Sequence, residues 1–172
     1  MIGYLKHIDI KLLNYIENHL KNKMFDKIMP IITSLGNLGV IWIIISILLI
    51  CKIDYRIMGV EVIVSLIITT IIGEGIIKNI VKRKRPFFYT DQELLITKPI
   101  TYSFPSGHTA SSFAALAVFM QMNSKIGLII SPIATLIAFS RLYLKVHYPS
   151  DVLFGGILGL TCGFSTVYFI VR

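Results

Sequence analysis

Apolar residues in this chain gather into long runs separated by short polar breaks, and residues 1 to 34 depart from that pattern. There Leu5, Ile8, Leu12, Ile16 and Leu20 recur at spacings of three and four while Lys6, Lys11, Glu17 and Lys21 interrupt them. That period predicts an amphipathic helix lying on a bilayer surface. A second short helix is expected over MFDKIMPIITSL, ending near Gly36 and Asn37. Five apolar runs follow, at residues 38–53, 57–77, 107–122, 126–145 and 151–171. A span needs about 20 apolar residues, so each run predicts a membrane helix, the first of them short. One long polar insertion, KNIVKRKRPFFYTDQELLITKPITYSFPSG, separates the second run from the third, and its Asp91 and Glu93 read as loop charges. The predicted fold is all-α: a polytopic bundle of about five transmembrane helices plus N-terminal amphipathic helices. It forms one domain over residues 1–172.

Composition agrees with that pattern. The 172 residues are 55% hydrophobic and 15% charged, with a mean hydropathy of +0.75, so a multi-pass protein of the cell membrane is expected. The formal net charge of +8, without basic-aromatic nucleic-acid motifs, points to anionic lipid or an anionic substrate and away from nucleic acid. Cys51 and Cys162 lie in apolar runs with neither metal-ligand nor disulfide spacing, and are read as inert. The N-terminus lacks the uniform apolar core and small-residue cleavage site of a leader, so none is expected. Nothing in the sequence specifies an oligomeric state.

With five spans, the ends of the second and fourth and the starts of the third and fifth share one membrane face, and three motifs fall there. The first is KNIVKRKRP, with Lys78 and Arg85 seven residues apart. That is about two helical turns, so both cations are expected on one helix face, with Pro86 turning Arg85 towards the loop. The second is FPSGHTASS, where Ser106 can cap a helix and Gly107 leaves its first N–H groups open to an anion. His108 stands beside that seat as a proton donor or acceptor. The third is FSRLYLKVHYPSD, with Arg141 at the end of one span and His147 four residues before Asp151. Asp151, in a first helical turn, is placed to accept a hydrogen bond from His147, leaving the other ring nitrogen free as a nucleophile or base.

Taken singly, these have plain structural readings: a juxtamembrane basic cluster including Lys82, Arg83 and Lys84, ordinary helix-start signals, and a turn. Together they place two histidines, a carboxylate, three cations and a helix N-terminus on one face. Phosphoryl transfer requires a nucleophile, an acid and fixed positive charge in that combination. Glu61 and Glu74 fall outside the motifs, and Glu74 lies one turn before Lys78 in the order that favours a local ion pair.

These residues resemble the type 2 phosphatidic acid phosphatase superfamily, whose pattern K-x6-R-P, P-S-G-H, S-R-x5-H-x3-D appears complete between residues 78 and 151. The resemblance implies a membrane phosphatase that needs no metal or other cofactor and acts on a lipid phosphate substrate. It implies that His147 attacks phosphorus, His108 serves the leaving oxygen and then the water, and Asp151 orients His147. Lys78, Arg85, Ser106, Gly107 and Arg141 would hold the phosphoryl oxygens. A polyprenyl diphosphate, a phosphatidate and a phosphatidylglycerol phosphate all fit as substrate. Some polyprenyl-diphosphate phosphatases carry aspartate in place of Gly107 and lack the lysine, which weighs slightly against the first. Related vanadium haloperoxidases are soluble, unlike this hydropathy pattern. The contrasting class is a non-catalytic lipid-binding or transport protein, which needs cations but no paired His147 and Asp151.

Counting Lys and Arg, the motif face together with the N-terminus carries thirteen and the other face four. By the positive-inside rule that count places the site in the cytoplasm. Three of the thirteen are the phosphate-binding candidates, and bacterial relatives commonly face outward. An outward site is the expectation adopted.

Overall fold

The structure is a computed structural model that describes residues 2–89 and 94–170. Asp91 and Glu93 lie outside the described residues. Helices α1 (Ile2–Leu20) and α2 (Lys23–Leu35) match the two expected N-terminal helices, with Asn22 capping α2 through Phe25 N–H. Helix α3 (Val40–Ile50) follows a single 3-10 turn, and α4 (Arg56–Thr70) runs through a π-helical stretch, Ile71–Ile77, into the short α5 (Lys78–Val81). Beyond the polar insertion come α6 (Gly107–Met122), α7 (Ser124–Tyr143) and α8 (Pro149–Ile170). Among the described residues there is no strand.

Helix α6 is the centre of the bundle. Thr109–Ser112 and Ala114–Phe119 are all buried, because α8 packs on one side of it and α4 and α7 on others. The approach to α8 depends on three glycines one turn apart, Gly155, Gly159 and Gly163. A Cβ at Gly159 would collide with the Ala110 carbonyl, one at Gly163 with the Ala114 carbonyl, and one at Gly155 would lie 2.7 Å from the Ser106 carbonyl. Without side chains there, two backbones meet at the distance that small residues allow in membrane bundles. Trp42 on α3 completes this core, donating from Nε1 to Ser112 Oγ at 3.0 Å.

The outer surface is apolar. Ile47 and Leu48 on α3, Ile67 on α4, Ile129 on α7, and Leu153 and Phe169 on α8 are each more than half exposed, as side chains facing lipid are and those of a water-facing surface rarely are. The stretches Ile53–Phe88, Ser124–Tyr143 and Pro149–Ile170 are long and apolar enough to cross a membrane, and α2 with the segment Asn37–Ile50, bent by 47°, makes a fourth if taken as one span. The five expected runs therefore do not give five full-length spans. Helix α6 has 16 residues, about 24 Å against a hydrocarbon core of about 30 Å. Being enclosed by other helices, it need not traverse lipid.

The N-terminal helices are more than a surface layer. Glu17 pairs with Lys145 at 2.5 Å, and Asp26 accepts from Tyr143 Oη at 2.7 Å. Helix α1 is thus fastened to the segment joining α7 to α8, and α2 to the end of α7. Leu5, Leu12 and Tyr15 remain exposed on the other side of α1.

Candidate active site

Helix α5 ends at Val81 because Lys82 adopts a left-handed conformation, φ 48, which few non-glycine residues take outside functional or turn positions. From there to Pro86 the chain has no regular structure, and burial alternates: Lys82 and Lys84 are exposed, Arg83 half-buried and Arg85 buried. This corrects the expectation that Lys78 and Arg85 share a helix face. They converge because the chain leaves the helix, and both donate to Thr101 Oγ1, Lys78 Nζ at 3.3 Å and Arg85 Nη2 at 3.1 Å. Arg85 also donates to the carbonyls of Thr101 at 2.7 Å, Tyr102 at 3.1 Å and Val146 at 2.8 Å. Five guanidinium N–H groups in a rigid fork allow one residue to hold the insertion and the α7–α8 segment together.

Arg85 Nη1 also lies 3.0 Å from His147 Nε2. A guanidinium only donates, so Nε2 carries the lone pair and Nδ1 the hydrogen. Burial, together with the charges of Arg85, Arg141 and Lys78, holds the His147 imidazole well below its ordinary pKa, with the Ser103 backbone acting the other way. The ring is therefore neutral where a free histidine is partly protonated, and its lone pair rests on Arg85 Nη1.

Asp151, fully buried in the first turn of α8, stands behind this ring. Its Oδ2 is 3.6 Å from His147 Nδ1, beyond a hydrogen bond, and Nδ1 has no other hydrogen-bond partner. The expected contact is open because that oxygen already accepts from Ser103 Oγ at 2.5 Å and Tyr148 N–H at 2.9 Å. Oδ1 pairs with Arg83 Nη1 at 2.6 Å. Arg83 in turn reaches Asp9 of α1 at 2.6 Å, and its guanidinium lies 4.0 Å from the Tyr148 ring centroid. Asp9 also accepts from the Ser150 N–H at 2.9 Å and Ser150 Oγ at 2.6 Å. Arg83 and Asp9 are residues that sequence reasoning passed over. The available signal was the position of Arg83 two residues before Arg85, since burial alternates along this stretch.

On the far wall, His108 opens α6 and its Nε2 lies 2.9 Å from Asn37 Oδ1. Donation to that carbonyl oxygen leaves Nδ1 free to accept. The chain passes this ring only because residue 36 is glycine: a Cβ there would be 2.9 Å from His108 Cδ2 and 2.8 Å from Ile137. Arg141 donates to Thr33 Oγ1 on α2, while its Nε has no partner.

Lys78, Arg85, Gly107, His108, Arg141 and His147 all line one cavity of about 810 Å³, walled also by Thr33, Asn37, Leu66, Thr69 and Ile100. Ser106 is not part of its lining. It is fully buried, with its hydroxyl accepting from Thr109 Oγ1 at 3.0 Å and its N–H donating to the Asp151 carbonyl at 3.0 Å. The N–H bond ties the start of α6 to α8. Glu74 does line the cavity and pairs with Lys78 at 2.6 Å as expected. Glu61 is fully buried on α4, away from the cavity lining, and neither carboxyl oxygen has a hydrogen-bond partner. Among the described residues no three His, Cys, Asp or Glu side chains gather as a metal site.

The sequence profile of the PAP2 superfamily matches residues 58–172. The chain is 33% identical over 129 residues to the undecaprenyl-diphosphatase of Sulfolobus acidocaldarius, an alignment covering 74% of this chain and 62% of that protein. It is 38% identical over 82 residues to the decaprenylphosphoryl-5-phosphoribose phosphatase of Mycolicibacterium smegmatis, covering 46% of this chain and 43% of the relative. It therefore spans less than two thirds of either relative's length. The crystal structure of Aquifex aeolicus LpxE superposes with a TM-score of 0.80 at 25% identity, covering 94% of this chain and 95% of that one.

Proposed function

The chain belongs to the PAP2 superfamily, and on that premise we propose that it is a membrane phosphatase hydrolysing a lipid phosphate or diphosphate through a phosphohistidine. The observation that carries this reading is the His147 environment: a buried, neutral imidazole whose Nε2 accepts from Arg85, both residues lining one cavity with Lys78 and Arg141. Passive head-group binding would use the cations alone. The substrate class is a polyprenyl diphosphate, a phosphatidate or a phosphatidylglycerol phosphate, with the curated relatives favouring polyprenyl lipids.

The chemistry follows from the placement. Lys78, Arg85 and Arg141 hold the phosphoryl oxygens, and His147 Nε2 attacks phosphorus as Arg85 Nη1 shifts from nitrogen to a phosphoryl oxygen. The P–N bond forms and the P–O bond to the lipid breaks; His108, which burial and then the charge of Arg141 keep neutral in the free protein, takes up a proton at Nδ1 together with the anionic substrate and gives it to the leaving oxygen. His108 Nδ1 then takes a proton from water, whose oxygen attacks phosphorus; the P–N bond breaks and phosphate leaves. Asp151 favours the imidazolium character that develops on His147 during attack.

Purified protein is expected to release phosphate from a panel of these lipids in excess chelator, and to be inhibited by orthovanadate. No step above uses a divalent ion, and a trigonal-bipyramidal vanadate fits three cations around a histidine. Activity lost in chelator and restored by a divalent ion would overturn the scheme. We also place the site on the outer face of the membrane. Ile100, fully exposed at the cavity wall, provides the probe: with Cys51 and Cys162 replaced by serine, an Ile100→Cys variant should react with an impermeant maleimide in intact cells. Labelling only after permeabilisation puts the site inside.

A further inference from the structure

The carboxylate of Glu74 rests on Lys78 and against Gly107 at the start of α6. It is carried by the π-helical stretch Ile71–Ile77, a widened turn of the kind that recurs at functional sites, and this aims it across the cavity. A Cβ built on Gly107 would collide with Glu74 Oε1, so the carboxylate rests against the first residue of α6 while also pairing with Lys78 at 2.6 Å. Among the described residues lining the cavity Glu74 is the one acid, set among Lys78, Arg85 and Arg141. Its side chain is 38% exposed against 6% for Lys78, so it can leave towards solvent while the lysine stays.

A second observation shows that the cation cluster is not satisfied by this one acid. Arg141, 3% exposed and part of the same wall, keeps a buried Nε without any partner. A buried guanidinium group left unpaired is costly unless a ligand completes it. The cavity thus sets one carboxylate against Lys78, Arg85 and Arg141, and one of those cations keeps a donor unused.

We propose that Glu74 is a specificity-determining residue that occupies the phosphoryl seat until a head group displaces it, rejecting weakly charged head groups. This rests on the reading of the cavity as a phosphoryl site. Glu74 must give up Lys78 and the start of α6 before a phosphoryl group takes them, and only a ligand offering more negative charge to the same donors makes that exchange favourable. A neutral or zwitterionic lipid head does not, although the apolar walls would accept its tail. Once displaced, the carboxylate stays nearby and repels the bound anion, which further raises the charge a ligand must bring.

The test is binding of inorganic phosphate and of orthovanadate to the purified full-length chain, by calorimetry at one pH and ionic strength, in wild type, Glu74→Gln and Glu74→Asp. Glutamine removes the charge, and aspartate keeps it but falls short of the seat by one methylene. Both are expected to bind phosphate more tightly than wild type, glutamine by about tenfold, as removal of a like charge at a partly screened site implies, and aspartate by less. Should glutamine fail to fold, the aspartate variant still decides. Equal or weaker binding in the folded variants overturns the role of Glu74 and makes it a ligand or a structural partner of Lys78. Wild type that binds neither anion at millimolar concentration overturns the phosphoryl site itself.

Discussion

His147→Ala is expected to abolish turnover, by on the order of 10⁴-fold or more, and to remove any phosphoenzyme whatever the substrate. Nε2 of this ring carries the lone pair, accepting from Arg85 in a cavity that both residues line, and alanine leaves no other group there to form a bond to phosphorus. His108→Ala should behave differently. Its ring, held by Asn37 at the start of α6, serves the leaving oxygen, so its loss costs about 10²–10⁴-fold where that oxygen becomes an alkoxide. With an aryl phosphate, whose phenolate leaves unaided, phosphoenzyme formation should recover in the His108 variant and not in the His147 variant. Acid quench followed by base-stable phosphohistidine detection reads both. A phosphoenzyme that persists in His147→Ala and vanishes in His108→Ala with the activated substrate would exchange the two roles.

Much of this site was legible because three motifs fall at helix boundaries on one face, and helix starts and ends are written in local sequence. Pro149 before Asp151, and the Ser106-Gly107 pair at the start of α6, predict their helices and the ends that face the cavity. What local sequence does not carry is contact between distant segments. Lys78 and Arg85 meet at Thr101 through a left-handed Lys82 that no residue-type rule marks, since lysine is unusual there. Arg83 reads as one charge in a juxtamembrane basic cluster, and no motif singles out Asp9. Their pairing at 2.6 Å depends on α1 crossing the bundle end near the start of α8. The number of spans is not written in local sequence for a similar reason: three stretches, or four with the bent pair, are long and apolar enough to cross a membrane. Apolarity predicts α6 equally well as lipid-exposed or as enclosed by protein, and only packing through Gly155, Gly159 and Gly163 distinguishes them.

Asp151→Asn is expected to lower the rate of phosphoenzyme formation on the order of 10³-fold while changing phosphate affinity little. The carboxylate stands 3.6 Å behind Nδ1, away from the cavity lining, so its charge acts on the imidazolium that forms as His147 attacks and not on the phosphoryl oxygens. Asparagine keeps the shape and can still accept from Ser103 and Tyr148, but its neutral amide leaves Arg83 with Asp9 alone. Some destabilisation must follow, about 1–3 kcal/mol, less than for a fully buried pair because the Arg83 side chain is 24% exposed. Adding Arg83→Met and Asp9→Asn together to Asp151→Asn separates the two effects. These changes remove the half-paired cation and also the Asp9 carboxylate that it would otherwise leave buried and alone, so the combined variant should recover part of the lost thermal stability. It restores no negative charge behind His147, so the rate should stay low. Thermal unfolding and single-turnover phosphoenzyme formation on the four proteins of the cycle provide the comparison. If the rate returned together with stability, Asp151 would be a structural anchor of the α8 start and not the group that supports attack.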